Sequence, residues 1–192
     1  MAFSRAARAL LVDATVTWAT VGFTKRKFYS MENIGNASLD LPSQEIKTVA
    51  LGLTVPGDVL QLVTDAGLKP MEGLVGVRNL LMVVLPVVSM CDPRDISGNV
   101  DSKNTAQPTV FMYDRYPGGM GFCEKGYEAI GDLLAMALRL VEECPCEDGC
   151  PSCVALVNLR PPIHGDPDAF GGYSIPDKRA AKVILRALCG GR

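Results

Sequence analysis

Histidine is nearly absent: the 192 residues contain one, His164, and also a single tryptophan. His164 sits in a proline-rich loop without ligand spacing, so it is read as incidental and leaves no histidine-based metal set. Charge of one sign is missing as well. Nineteen basic residues face 21 acidic ones, for a net charge of -2. A balance this even gives no global basic field, so any contact with nucleic acid must come from a local patch. A long unbroken apolar segment is lacking too. A bilayer span needs about 20 apolar residues; the longest run here, Leu80–Met90, is interrupted by Pro86 and preceded by Arg78. The opening MAFSRAARALLVDA is too brief and broken for a signal peptide. There are no internal repeats and no low-complexity tract. The expectation is a soluble, intracellular chain with no membrane partner, located in the cytoplasm (on the nucleoid, if bacterial or archaeal).

The chain is otherwise well supplied for folding. It is 48% hydrophobic and 21% charged, enough to bury a sizeable core. We expect one α+β domain over 1–192, β-rich at 14–55 and helical with a metal loop at 58–188. From Ala14 to Val55 the apolar period is near two, with turn chemistry at Asn33-Ile-Gly-Asn36, which reads as an antiparallel meander. Asp58 is positioned to cap a helix opening at Val59. Met71–Met90 reads as a buried apolar helix forming the core, and Asp92–Gln107 as a polar loop. Thr109–Tyr113 is expected to be a short central strand, followed by a long helix from Phe122 to Glu143. A last helix, with a capping signature at Ser174–Asp177, should run to Leu188 with Ala180, Val183, Ile184 and Ala187 inward.

Cysteine is where the sequence is rich. Of seven, an odd number ill suited to a disulfide scaffold, four fall in ECPCEDGCPSCV: Cys144, Cys146, Cys150 and Cys153. Cys150 and Cys153 form a C-x2-C knuckle, with Cys144 and Cys146 as a second pair across Pro145. Thiolates in this pattern suit one tetrahedral, closed, structural zinc ion. A redox or disulfide role and an iron–sulfur cluster are the alternatives.

Two acidic motifs stand beside arginine: Asp92, Arg94 and Asp95 in CDPRDI, and Asp114 and Arg115 in YDRYPGG. They read as an internal network pinning two loops; the rival reading is a metal-dependent nuclease using Asp92, Asp95 and Asp114. Gly118 and Gly119 read as a tight turn, with a phosphate-binding loop as the weaker alternative. Two basic groups are candidate DNA contacts: Lys25, Arg26 and Lys27 on the β part, and Lys178, Lys182 and Arg186 striping the last helix.

Three segments then carry a resemblance. CDPRDISG, TVFMYDRYPGGMGFCEKGYE and CPCEDGCPSCV, in this order, are similar to the C-terminal zinc-binding (MZB) domain of MrfA-type DEAD/DEAH-box helicases, and VGFTKRKFYSMENIG and LDLPSQEIKTVALGL to its opening β part. The resemblance implies zinc on the four cysteines and an accessory role beside an ATP-driven motor. The chain has neither a Walker A loop nor a D-E-x-[HD] box, so it has no ATPase activity of its own on this reading. Motor domains, in cis or in trans, and single-stranded or forked DNA are the implied partners, in DNA repair or phage defence, where a related domain partners a helicase. A pure protein-interaction module without DNA contact is the other alternative.

Overall fold

The computed structural model describes residues 8–101, 104–155 and 176–190. His164, the Pro/Gly-rich stretch around it and Ser174 lie outside the described residues. The fold is α+β, as the sequence implies. Four strands, β1 (Arg8–Trp18), β2 (Gly22–Arg26), β3 (Asn33–Ser38) and β4 (Gln44–Thr54), precede two helices, α1 (Gly57–Asp65) and α2 (Pro70–Ser89). Strands β5 (Ile96–Asp101) and β6 (Thr109–Asp114) follow, and then helices α3 (Phe122–Glu128), α4 (Ile130–Glu143) and α5 (Lys178–Leu188).

The N-terminal strands are nested rather than laid out as a meander. Strand β1 pairs with β4 along eleven residues, from Arg8 opposite Thr54 to Trp18 opposite Gln44, while β2 pairs only with β3. The main sheet has the order β1-β4-β6-β5, antiparallel throughout, so β6 is an interior strand as expected. Only Ala50–Thr54 of β4 meets β6. The half of β4 nearest the sheet is therefore buried, and the half leading to β3 is largely exposed. Beyond it the β2–β3 ribbon continues outward.

Helix α2 is the axis of the helical layer, touching α1, α3, α4 and α5 as well as β5 and β6. By length and composition alone it could cross a membrane, yet 56% of its apolar window is buried inside the fold. Leu74, Val77, Leu80, Leu81, Val84 and Leu85 supply the core, whereas Val87 stays largely exposed on its far side. Helix α5 approaches very closely because both partners are small at the crossing. A Cβ on Gly73 would come within 2.9 Å of Ala180 Cβ, and one on Gly76 within 2.9 Å of Ala181 Cβ. Such overpacking would have to push the helices apart.

Several boundaries differ from the sequence reading. Asp58 does not cap α1; Pro56 occupies that position, with no side-chain cap, and Asp58 lies in the first turn, where its charge suits the helix dipole. The polar stretch after Asp92 contains β5, because pairing with β6 satisfies its backbone despite Gly98 and Asn99. The expected long helix bends at Ala129 (φ -103°, ψ 21°) into α3 and α4. On α5 the buried face is Lys178, Ala180, Ala181, Ile184, Leu185 and Leu188, with Val183 and Ala187 only half-buried. Asp177 is its cap and accepts a 2.7 Å bond from Ala180 N.

Candidate metal centre

The four cysteines converge where α4 ends. Cys144 is the C-cap of α4, turning the chain out of the helix (φ -65°, ψ 125°) while its N–H still bonds Leu140 O at 3.2 Å. Pro145 and Cys146 follow, and Glu147–Gly149 reverse the chain toward Cys150. The knuckle is closed by its own backbone: Cys153 N and Ala155 N both donate to Cys150 O, at 2.9 and 3.1 Å. Cys150 N also points at Cys153 Sγ, 3.3 Å away.

All four Sγ atoms lie within 4.8 Å of one another. A regular tetrahedron with zinc–sulfur bonds of about 2.3 Å has sulfur–sulfur edges of about 3.8 Å. Cys144–Cys146, Cys144–Cys150 and Cys146–Cys153 stand at 3.5 Å, and Cys150–Cys153 at 3.8 Å. These sulfurs are not joined as disulfides, and all seven cysteines are free thiols. The donor set therefore fits one structural zinc ion, held by sulfur on all four sides with no position left for a reacting molecule.

Lys178 is the residue at this centre that sequence reasoning misplaced. Counted there among surface cations that could touch DNA, it is only 4% exposed. Its ammonium donates to Cys144 O at 2.8 Å, to Cys146 O, and to Cys146 Sγ at 3.3 Å. An ammonium that deep requires compensation, and the carbonyls and thiolates provide it. Four thiolates around Zn²⁺ carry a net charge of about -2, which one buried cation partly offsets. The arrangement is electrostatically consistent. Burial opposes ionisation of Cys146, but hydrogen bonds from Cys144, Cys153, Lys178 and Cys150 outweigh it and bring this thiol down to about 6. Burial pushes the Cys153 thiol up to about 12. A sequence signal did exist: Lys178 opens the 178-181-185-188 apolar stripe of α5, where a free surface lysine does not belong.

Asn79 ties the centre to the core from the other side. Its Nδ2 donates to Val154 O at 2.6 Å, and its Oδ1 accepts from Arg78 Nε and Nη2 at 3.0 and 2.8 Å. The knuckle is thus gripped by α2 through Asn79, by α4 through Cys144, and by α5 through Lys178.

The acidic motifs form a pinning network, with different partners from those the sequence suggests. Asp92 pairs with its neighbour Arg94, at 3.0 Å, on the surface. The link between the two loops is Tyr116, whose hydroxyl donates to Asp95 Oδ1 at 2.7 Å, together with Arg115 N to Asp95 O at 2.8 Å and Arg115 Nη1 to Arg94 O at 3.3 Å. Asp114 is fully buried. It accepts backbone N–H bonds from Met120 at 2.7 Å, Phe122 at 3.2 Å and Cys123 at 3.1 Å, satisfying the start of α3 in place of a local cap. Gly118 and Gly119 make the turn at φ +80° and +76°, and a Cβ on Gly119 would stand 3.0 Å from Val49 Cγ2. Among the described residues, Cys144, Cys146, Cys150 and Cys153 are the one group of three or more potential ligands whose atoms converge. Asp92, Asp95 and Asp114 do not form a second such group among the described residues.

The other basic candidates stay outside this centre. Arg186 pairs with Glu142 at 2.7 Å, joining α5 to α4, and Lys182 is half-buried. With Lys178 turned inward, the cations left on the outer side of α5 are Arg179, Lys182 and Arg186, at helical spacing, and Arg186 is paired with Glu142. Lys25, Arg26 and Lys27 lie on the β2–β3 ribbon.

Comparison with known proteins agrees with this geometry. Residues 77–154, from within α2 through the knuckle, match the MZB family, the MrfA Zn-binding domain. The ATP-dependent helicase YprA of Bacillus subtilis is 37% identical over 145 residues, covering 74% of this chain and 19% of the helicase. The ATP-dependent helicase HRQ1 of Saccharomyces cerevisiae is 30% identical over 161 residues, covering 78% of this chain and 14% of that protein. The crystal structure of the DUF1998 helicase MrfA bound to DNA superposes with a TM-score of 0.62 at 30% identity, over 95% of this chain and 22% of the helicase. The chain thus spans about a fifth or less of the length of these relatives. The sulfur cluster, the fold around it and the matched sequence lead to one assignment: this chain carries the MrfA Zn-binding domain of MrfA-type helicases.

Proposed function

We propose that this chain is the zinc-stabilised accessory domain of a superfamily 2 DNA helicase, joined to the motor or acting on it in trans, and that it helps hold the DNA strand on which the motor works. The observation that carries this reading is the combination of a closed four-sulfur centre with a fold shared, over 95% of the chain, with a helicase crystallised on DNA. A closed centre supplies stability rather than chemistry. Here it joins α2, α4 and α5 into one rigid unit. A rigid unit of that kind suits a docking or strand-holding part, with the ATP-driven work done by domains this sequence does not contain. The setting that goes with this reading is the cytoplasm, in DNA repair or phage defence.

The test is direct. The zinc-loaded chain is titrated with labelled single-stranded, forked and duplex oligonucleotides, and separately with the two motor domains of a helicase of this family. Binding to single-stranded or forked DNA, with stimulation of the motor's ATPase, is the expected result. Binding to the motor without any DNA affinity would make it a protein-interaction module. Binding to neither would overturn the reading.

A further inference from the structure

The β2–β3 ribbon is the part of the molecule that the zinc-centred reading leaves unused. Two isolated antiparallel strands are marginal in water, and this pair bonds only to itself. It nevertheless exposes Val21, Phe23, Phe28, Tyr29, Met31 and Ile34, with Phe28 84% and Tyr29 95% accessible. Contiguous apolar surface of this kind usually marks an interaction site.

The chemistry of the ribbon favours one kind of occupant. On one face Phe23 and Lys25 stand side by side, the ammonium 5.7 Å from the ring centroid. Their cross-strand partners are Ala37 and Gly35, which have almost no side chain to cover that ring. At the tip, Phe28 and Tyr29 meet edge to face at 5.0 Å. The turn is held in place by Lys27 N to Glu32 O at 2.9 Å and Met31 N to Lys27 O at 3.1 Å, with Tyr29 and Met31 in the left-handed region (φ 68° and 56°). Three cations, Lys25, Arg26 and Lys27, lie between the first ring and the other two. Lys27 pairs with Glu32 at 3.0 Å, while Arg26 Nε is buried without an acceptor. Lysine is depleted at protein–protein interfaces, whereas rings alternating with cations are what a flexible strand of bases and phosphates requires.

We propose that the β2–β3 ribbon is a stacking platform for single-stranded nucleic acid, in which Phe23, Phe28 and Tyr29 receive bases and the exposed Lys25 faces the phosphates. The proposal rests on the DNA reading given above and assigns that contact to a definite surface, away from α5 and the zinc centre.

The experiment uses the full zinc-loaded chain and a labelled single-stranded thymidine oligomer, followed by fluorescence anisotropy over a salt series. Phe28→Ala/Tyr29→Ala is expected to weaken binding about tenfold or more with little change in salt dependence, as the loss of base stacking predicts. Lys25→Gln is expected to flatten the dependence of log K on log salt. Zinc content and melting temperature should match the wild type in both variants, since every substituted residue lies on the ribbon. If the wild type binds and both variants bind equally well, the platform is overturned while the DNA reading stands. If the variants keep DNA affinity but lose a helicase motor domain, the ribbon is a protein-docking arm and the proposal fails. If the wild type shows no affinity for the oligomer, both readings fall.

Discussion

The zinc knuckle and the β2–β3 ribbon are both short, turn-rich excursions from the body of the protein, yet they are built in opposite ways. The knuckle turns its functional side chains inward. Cys153 and Val154 are fully buried, and Lys178 donates all its hydrogen bonds into the loop. The ribbon turns its largest side chains outward and is held by backbone pairing and one surface ion pair. A loop whose ligands converge can be stabilised by a metal from within. A loop whose rings diverge relies on what binds it from outside. The first arrangement serves the fold, and the second is free to serve a partner.

Substitutions can break this contrast, and the largest effect belongs at the knuckle. Cys150→Ser should abolish stoichiometric zinc in elemental analysis and collapse the melting transition, because binding energies of about 10–16 kcal/mol at structural sites are folding energy. If the variant kept one zinc per chain and its wild-type melting temperature, the structural role of the centre would be refuted. Next is Asp114→Ala, which leaves three N–H groups at the start of α3 without their acceptor. Its expected cost is about 3 kcal/mol or more, at about 1–3 kcal/mol per buried unsatisfied group, read from denaturant unfolding. Zinc stoichiometry should be unchanged.

Lys178→Met sharpens the comparison, because it keeps an unbranched apolar stem of nearly the same length, with sulfur in place of Cδ, and removes the ammonium. Loss of a group hydrogen-bonded to a metal ligand typically lowers affinity about 10–100-fold, measurable by competition with a chelator. In the cobalt-substituted protein the thiolate charge-transfer band should shift as well; an unchanged band and affinity would reduce Lys178 to packing. Tyr116→Phe removes one surface hydrogen bond between the acidic loops and should cost about 0.5–1.5 kcal/mol, read as a small shift in the denaturant midpoint. The smallest effect belongs to the ribbon: Phe28→Ser should change stability by no more than about 0.5 kcal/mol. A large loss there would mean that the ring packs against the body and that the contrast is wrong.

The centre was legible in advance because four ligands lie within ten residues of chain. At such spacing local turn geometry nearly suffices to bring them together, and thiolate chemistry names the metal. Strand periodicity likewise announced the β part. The nesting of β2–β3 inside β1–β4 was not legible, because an alternating pattern identifies a strand without naming its neighbour. Nor was β5, whose pairing with β6 overrides the poor strand propensity of Gly98 and Asn99.

Lys178 and Asp114 show the same limit at the level of single side chains. Each is charged and, in the linear sequence, looks like a surface group beside others of its kind. Each is buried because the fold brings uncompensated polar groups to it: the carbonyls and sulfur of Cys144 and Cys146, far away in sequence, for Lys178, and the N–H groups at the start of α3, just past the glycine turn, for Asp114. The sequence by itself determined the fold class and the four-cysteine ligand set, both properties of composition and short-range spacing. Only the tertiary structure decided which charges face inward, which strands pair, and which rings remain exposed. Those outcomes depend on desolvation balanced against partners that the chain meets only when it has folded.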